Sequence, residues 1–337
     1  MNSTQEDLMQ QWILHSPGQI SLETVLKPTP NEGDLLIRVL AATTCGTDLK
    51  AYLRGHPQIP MPGGFGHEWC GVVEKAGTGA KYSAGDEVCG VHTAPCFHCR
   101  WCLRGQENLC ETIMQTKVMG SFATHLLVPK RIADVNVFRL PLGFPPEVGC
   151  LIEPLACVME GYSQLKPDRE DEIAIIGPGA IGLLFAVALQ KFGHHNVVIY
   201  GRTQERLRLA ESMGIRSAHS KDLVPGQYDA VIECTGTLDV WQSSLNYVRK
   251  GGTVVLFGGL PSGTQAQFDA GLLHYSQIKI LSPFHFGSQP VKMAWDLLQS
   301  YPDSFRPLIS AKVGMQDLPE ALQKLQNRNG IKYALIP

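Results

Sequence analysis

No run in this sequence is apolar for long enough to cross a bilayer. The strongest, residues 180–189, ends well short of the ~20 residues a spanning helix needs. The first seven residues are polar and slightly acidic, lacking both the apolar stretch of a secretory leader and the arginines of a transit peptide. A cytoplasmic protein is therefore expected. An excess of one charge is also missing: 29 Lys and Arg face 31 Asp and Glu, a net charge of −2. That balance gives no broad basic footprint, so neither nucleic acid nor a membrane surface is an expected partner. Nothing repeats at solenoid spacing. With 44% hydrophobic and 18% charged residues, disorder and coiled coil are excluded as well.

What remains is a soluble-type chain of 337 residues, long enough for two domains. Its 34 glycines and 22 prolines imply many tight turns and a strand-rich fold. Ten cysteines are more than a reducing compartment would turn into disulfides. They need another explanation.

Cys96, Cys99, Cys102 and Cys110 supply most of it, reading C-x2-C-x2-C-x7-C. Four thiolates this close can wrap one tetrahedral ion with no open position, the makeup of a structural zinc site. The residues between them are small, polar or basic, as suits an exposed lobe over about residues 93–113. Arg100 and Arg104 are expected to offset the negative charge of the centre. A [4Fe–4S] cluster, or His98 in place of one cysteine, are the alternatives to the zinc expected here.

A second set is more dispersed. Cys45 follows the strand-like run 35–42 in the segment Thr43-Thr-Cys-Gly-Thr-Asp48, and Gly66-His-Glu-Trp-Cys-Gly71 comes after it. Glu153-Pro-Leu-Ala156 adds an acidic residue later. A lone cysteine or histidine is more often packing than ligand. Together they offer S, N and O donors, the composition of a catalytic zinc with one exchangeable position.

The third signal is Gly177-Pro-Gly179-Ala180-Ile181-Gly182. It follows the apolar run 171–177 and precedes a helix-like stretch to Phe192, then a second strand at 196–200. Strand, glycines, helix and strand make a dinucleotide-binding βαβ unit. Gly177 allows the tight turn, Gly179 admits pyrophosphate to the backbone, and Gly182 lets helix pack on strand, with the pyrophosphate at the helix N-terminus. Further strands at 230–234, 253–257 and 278–281 predict a doubly wound sheet. An NAD enzyme places Asp or Glu at the end of the second strand; this chain has Gly201, followed by Arg202, Thr203 and Arg206. Room and guanidinium groups suit a 2′-phosphate, so NADP(H) is favoured over NAD(H). Gly201→Asp is expected to shift the balance toward NADH. The competing reading makes Thr203 the cap of the helix from Gln204, with the arginines solvated.

These motifs, in this order along essentially the whole chain, resemble the zinc-dependent medium-chain dehydrogenase/reductase family of alcohol, sorbitol and threonine dehydrogenases. The resemblance implies an α/β architecture with a GroES-like, β-rich catalytic domain (1–152) and a Rossmann domain (153–285). A return segment (286–337) completes the first. It also implies that Cys45 and His67 bind the catalytic zinc, that Glu68 can bind it directly as in the polyol branch, and that Glu153 contacts the zinc or its water. Thr47 corresponds to the family's hydroxyl relay. Lys50 stands where several relatives carry a relay histidine; Lys50 acting through ribose contacts, His56 as a substitute, and Lys50 as a plain surface cation are the open readings. Cys157 is read as a buried helical residue rather than a ligand. Two zinc ions per chain and a homodimer or homotetramer are expected. The edge segment 266–281 is a candidate for the contact, with an internal strand as the alternative. His92, Phe284 and His285 are expected to line the cleft. The implied activity is hydride exchange between a secondary alcohol or its ketone and the nicotinamide. The alcohol would be a polyol, cyclitol, sugar alcohol or amino alcohol. An NADPH-dependent quinone or enone reductase and a non-catalytic NADP(H) sensor are the alternatives.

Overall fold

The computed structural model describes residues 7–337; the polar opening stretch, residues 1–6, lies outside the described residues. The chain divides into two compact units, one formed by the chain through Glu153 together with Gly287–Pro337, the other by Pro154–Phe286. Among the described residues, no helix is long and apolar enough to cross a membrane.

The first unit is built on β-strands. Its larger sheet runs in the order Ile309–Gly314, Lys332–Ile336, Leu35–Thr43, Glu68–Ala76, Glu87–Gly90 and Val137–Arg139, with His125–Val128 also pairing Leu35–Thr43. A smaller sheet joins Gln19–Leu26, Leu8–Ser16 and Gly63–Gly64. Leu35–Thr43 is almost wholly buried, because it is flanked on both sides and packs in a core with Trp12, Phe65, Trp69 and Phe122. Burial of such large side chains is the main force holding the unit together.

The register of these strands decides what meets at their ends. Thr43 lies opposite Glu68 on one side and opposite Ala334 on the other. Side chains two residues apart share a face of a strand, so Lys332 falls on the face of Ala334 and close to Glu68. Just beyond Thr43 the chain turns into the helix Gly46–Arg54, with Cys45 as its N-cap.

The second unit is a six-stranded parallel sheet. Its order is Ser217–His219, Val197–Gly201, Ile173–Ile176, Tyr228–Glu233, Val248–Leu256 and Lys279–Leu281. In chain order that is 3-2-1-4-5-6, the doubly wound arrangement that binds dinucleotides where the order reverses. Ile173–Ile176 is buried throughout, as a central strand covered on both faces must be. The helix Ala180–Lys191 follows it and buries an unbroken run from Gly182 to Leu189. Lys279–Leu281 ends the sheet and pairs only with Val248–Leu256 within the described chain.

Candidate metal centres and dinucleotide site

In the first unit, one ligand atom from each of Cys45, His67 and Glu68 lies within 4.8 Å of the others. Asp48 organises two of them. Its Oδ2 accepts from the backbone N–H of Cys45 at 3.1 Å, while its Oδ1 lies 2.9 Å from His67 Nδ1. Cys45 Sγ accepts from Thr47 N at 3.4 Å, closing a reciprocal cap at the start of the helix Gly46–Arg54. A histidine whose Nδ1–H is given to a carboxylate presents the Nε2 lone pair to a metal. Here His67 Nε2 is 3.9 Å from Glu153 Oε2, and Glu153 Oε1 is 3.4 Å from His92 Nδ1. The rings of His67 and His92 meet edge to face with centroids 5.1 Å apart.

The electrostatics follow from burial. Burial opposes the charged form of His67, yet the charge and hydrogen bond of Asp48, with Cys45 adding, hold its pKa well above 6.5. Burial pushes the Glu153 carboxyl up to about 7, against the pull of His67. Glu68 is held differently. Lys332 Nζ lies 2.6 Å from one of its oxygens and 2.7 Å from the other, and Thr43 donates its hydroxyl to Oε2. Lys332 also donates to the carbonyl of Thr44 at 2.8 Å. Burial works against the ammonium, but the carboxylate of Glu68 keeps its pKa above 10.5. A thiol, an imidazole and carboxylates on one buried face are the donor set a catalytic zinc takes.

The four-cysteine lobe is a separate centre. Sulfur atoms of Cys96, Cys99, Cys102 and Cys110 lie within 4.8 Å of one another. Cys99 heads the single-turn helix Arg100–Leu103, which swings Cys102 back toward Cys96, sulfur to sulfur 3.9 Å. Backbone N–H groups already point at the sulfurs, Cys96 N at Cys110 Sγ and Cys99 N at Cys96 Sγ, each at 3.3 Å. Against the upward push of desolvation, backbone hydrogen bonds from Thr112 and Cys96 bring Cys110 down to about 6. Donors aimed at thiolates are what a metal-bound cysteine needs, so the lobe fits a tetrahedral zinc.

Two side chains near this lobe define its surroundings. The guanidinium that touches it belongs to Arg131, 3.5 Å from Cys110 Sγ and 2.9 Å from Thr112 Oγ1. Arg100 instead lies over the ring of Trp101, 5.4 Å from its centroid. His98 stands outside the group of four, its Nδ1 2.7 Å from the carbonyl oxygen of Cys96.

In the second unit Gly177 adopts φ 113, a conformation that favours glycine, and a Cβ on Gly182 would stand 2.1 Å from the carbonyl oxygen of Gly177. Gly179 is the N-cap of the helix Ala180–Lys191; a Cβ there would meet only Arg206 Nη1, at 3.6 Å. The guanidinium of Arg206 thus reaches the glycine turn, and the backbone at Gly179 is open to a close approach. This geometry fits a pyrophosphate at a helix N-terminus. Gly201, Arg202 and Thr203 follow at the end of the strand Val197–Gly201. Thr203 occupies the N-cap position of Gln204–Ser212, and its side chain makes no capping hydrogen bond. Cys157 is half-buried on its helix, not fully buried as expected. Phe284 and His285 belong to this second unit, and Phe284 is exposed.

Sequence reasoning missed Asp48, Lys332 and Arg131. Asp48 carried a usable signal, an acidic residue three positions after an N-cap candidate. Lys332 carried another, a lone charge inside the apolar run 331–336. Arg131 carried none.

Comparison with known proteins accords with both units. The family described as alcohol dehydrogenase GroES-like domain matches residues 31–140, and the zinc-binding dehydrogenase family matches residues 180–300. An L-threonine 3-dehydrogenase of Deinococcus deserti is 30% identical over 327 residues, covering 91% of this chain and 93% of that protein. A sorbitol dehydrogenase of Halalkalibacterium halodurans is 26% identical, covering 96% and 97%. The crystal structure of a zinc-binding dehydrogenase from Sinorhizobium meliloti, bound to NADP, superposes with a TM-score of 0.87 at 29% identity. It covers 98% of this chain and 99% of that one. An alcohol dehydrogenase from Thermotoga maritima shares the fold with a TM-score of 0.89 at 18% identity, covering 98% and 99%.

Proposed function

Because the chain belongs to the zinc-dependent medium-chain dehydrogenase family, we propose that it interconverts a secondary alcohol and its ketone with NADP(H). The alcohol is one bearing a second polar group: a polyol, cyclitol, sugar alcohol or amino alcohol. In the oxidising direction the alcohol loses a hydride to the nicotinamide and a proton to water. The observation that carries this reading is His67, fixed by Asp48 at Nδ1 and turned by Nε2 toward Glu153, with Cys45 tied to the same aspartate.

Cys45 and His67 hold the catalytic zinc in this reading, with Glu68 and Glu153 as the carboxylates that complete its donor set. Glu68 is already engaged by Lys332 and Thr43. Cys96, Cys99, Cys102 and Cys110 hold the second ion. When bound, the metal supplies Lewis acidity to the alcohol oxygen and the nicotinamide supplies the two-electron acceptor. The chain's own part is orientation and charge. Asp48 fixes the imidazole tautomer, and Thr47 is assigned to pass the proton outward. Arg202, Thr203 and Arg206 are assigned to the 2′-phosphate, supported by the absence of a carboxylate at Gly201. Association as a dimer or tetramer is assigned to the edge segment 266–281, whose strand Lys279–Leu281 ends the sheet among the described residues.

The test combines elemental analysis with a substrate panel of polyols, amino alcohols and cyclitols, each assayed with NADP+ and NAD+. Two zinc ions per chain and turnover with NADP+ are expected. Reduction of a quinone or enone by metal-free protein, with no alcohol oxidised, would replace this reading by a reductase.

A further inference from the structure

The glycine turn and the strand end beside it exclude each other's side chains. A Cβ built on Gly201 would lie 2.5 Å from Cγ and 2.8 Å from Cδ of Pro178, with Leu207 Cδ2 at 3.2 Å. Carbon atoms in contact sit ~3.5–4.0 Å apart, so the shortfall against Pro178 is about an ångström. The proline ring cannot swing aside as a flexible side chain could. It is closed onto its own backbone, next to Gly177 at φ 113. Four residues further on, Gly182 is pressed against the carbonyl of Gly177 and begins the buried stretch of the following helix. Gly201, by contrast, lies in an extended strand whose backbone any residue can adopt. Space, and not conformation, restricts position 201 to glycine.

We propose that Pro178 is a specificity-determining residue for the dinucleotide: its ring occupies the volume an acidic side chain at position 201 would need. The carboxylate that binds the ribose hydroxyls in NAD enzymes is thereby kept out by the turn itself. The expected exchange of preference by Gly201→Asp alone is blocked, and conversion requires a change at both positions. The cofactor half of this inference rests on the reading of Gly201, Arg202 and Thr203 as the seat of a 2′-phosphate. The packing half does not.

Two measurements separate the halves. The first is the thermal midpoint of cofactor-free wild type, Gly201→Ala, Pro178→Ala and the double variant, which adds a Cβ without charge. Gly201→Ala is expected to lower the midpoint by several degrees. The double variant should come within about 1 °C of Pro178→Ala, the non-additivity of residues in contact. The second is fluorescence titration of NADPH and NADH, independent of turnover, against Gly201→Asp and Pro178→Ala/Gly201→Asp. Gly201→Asp should gain no NADH affinity, whereas the double variant should bind NADH about tenfold more tightly than wild type and NADPH about tenfold more weakly. An unchanged midpoint in Gly201→Ala overturns the proposal. So does a gain of NADH affinity in Gly201→Asp equal to that of the double variant. If wild type binds NADH better than NADPH while the midpoints show the coupling, the packing stands and the NADP(H) reading falls.

Discussion

Lys332 places its ammonium 2.6 and 2.7 Å from the two carboxylate oxygens of Glu68, across 264 positions of sequence, with both side chains almost completely buried. The pairing is a product of sheet register. The strands carrying the two residues flank Leu35–Thr43, and Thr43 is opposite both neighbours. Desolvating two charges is costly, so the net stability gained from such a pair is small, but removing one partner strands the other.

Lys332→Met is therefore expected to destabilise the protein by about 3–5 kcal/mol, the cost of an unpaired buried carboxylate. Glu68→Gln in the same background should restore part of that loss. Guanidinium denaturation of the single and double variants checks it. A single variant within about 1 kcal/mol of wild type would mean that Glu68 finds another cation or takes up a proton at little cost.

Asp48→Asn should act on metal affinity more than on folding. The amide can still accept one hydrogen bond, so a loss of about 1 kcal/mol from the weakened cap is expected. Zinc affinity should fall ~10–100-fold, because His67 loses the partner that fixes its tautomer. Chelator competition on the purified variant gives the number directly. An unaltered affinity would remove Asp48 from the account of the site.

Cys99→Ser is expected to halve the zinc content by elemental analysis and to lower the thermal midpoint. A loss of ~2 kcal/mol corresponds to roughly 4–8 °C in a unit of this size. Turnover at low temperature should persist, since Cys99 is not part of the Cys45–His67 group. Two zinc ions retained per chain would count against a four-thiolate centre.

Glu233, away from both candidate metal centres, should make stability depend on pH. It is fully buried at the end of Tyr228–Glu233, where Oε1 accepts from Thr235 N at 2.5 Å, from the Thr235 hydroxyl and from Gly236 N at 3.0 Å. Burial raises its pKa above 4.5, and the hydrogen bonds only partly offset that. A raised folded-state pKa contributes stability that is complete below the unfolded value and is lost as pH rises through the folded one. Glu233→Gln does not titrate. Its stability relative to wild type should therefore improve as pH rises from below 4.5 through the raised folded-state value, by ~1.4 kcal/mol for each unit of the shift. Urea midpoints across that range test it, and a constant difference would contradict it.

What could be read from the sequence was whatever the chain keeps local. Cys96, Cys99, Cys102 and Cys110 announce themselves because one short loop carries all four, and Gly177, Gly179 and Gly182 because a single turn needs them. The strands at 173–176 and 197–201 were legible from their apolar runs. Lys332 was not legible as the partner of Glu68, since only the register of three strands joins them. Arg131 reaches Cys110 from outside the cysteine loop, so local charge counting chose Arg100 and Arg104 instead. The conflict between Pro178 and a side chain at 201 is of the same kind: each residue looks unremarkable until the turn and the strand end are side by side.

Asp48 also decides how the Cys45–His67 group behaves as a mechanical unit. One carboxylate holds the backbone of Cys45 with one oxygen and the ring of His67 with the other, so the thiol and the imidazole move as a single piece. Those bonds would hold that piece together with or without a metal. An ion would then meet two of its donors already side by side, so that less ordering of side chains would be needed to bind it.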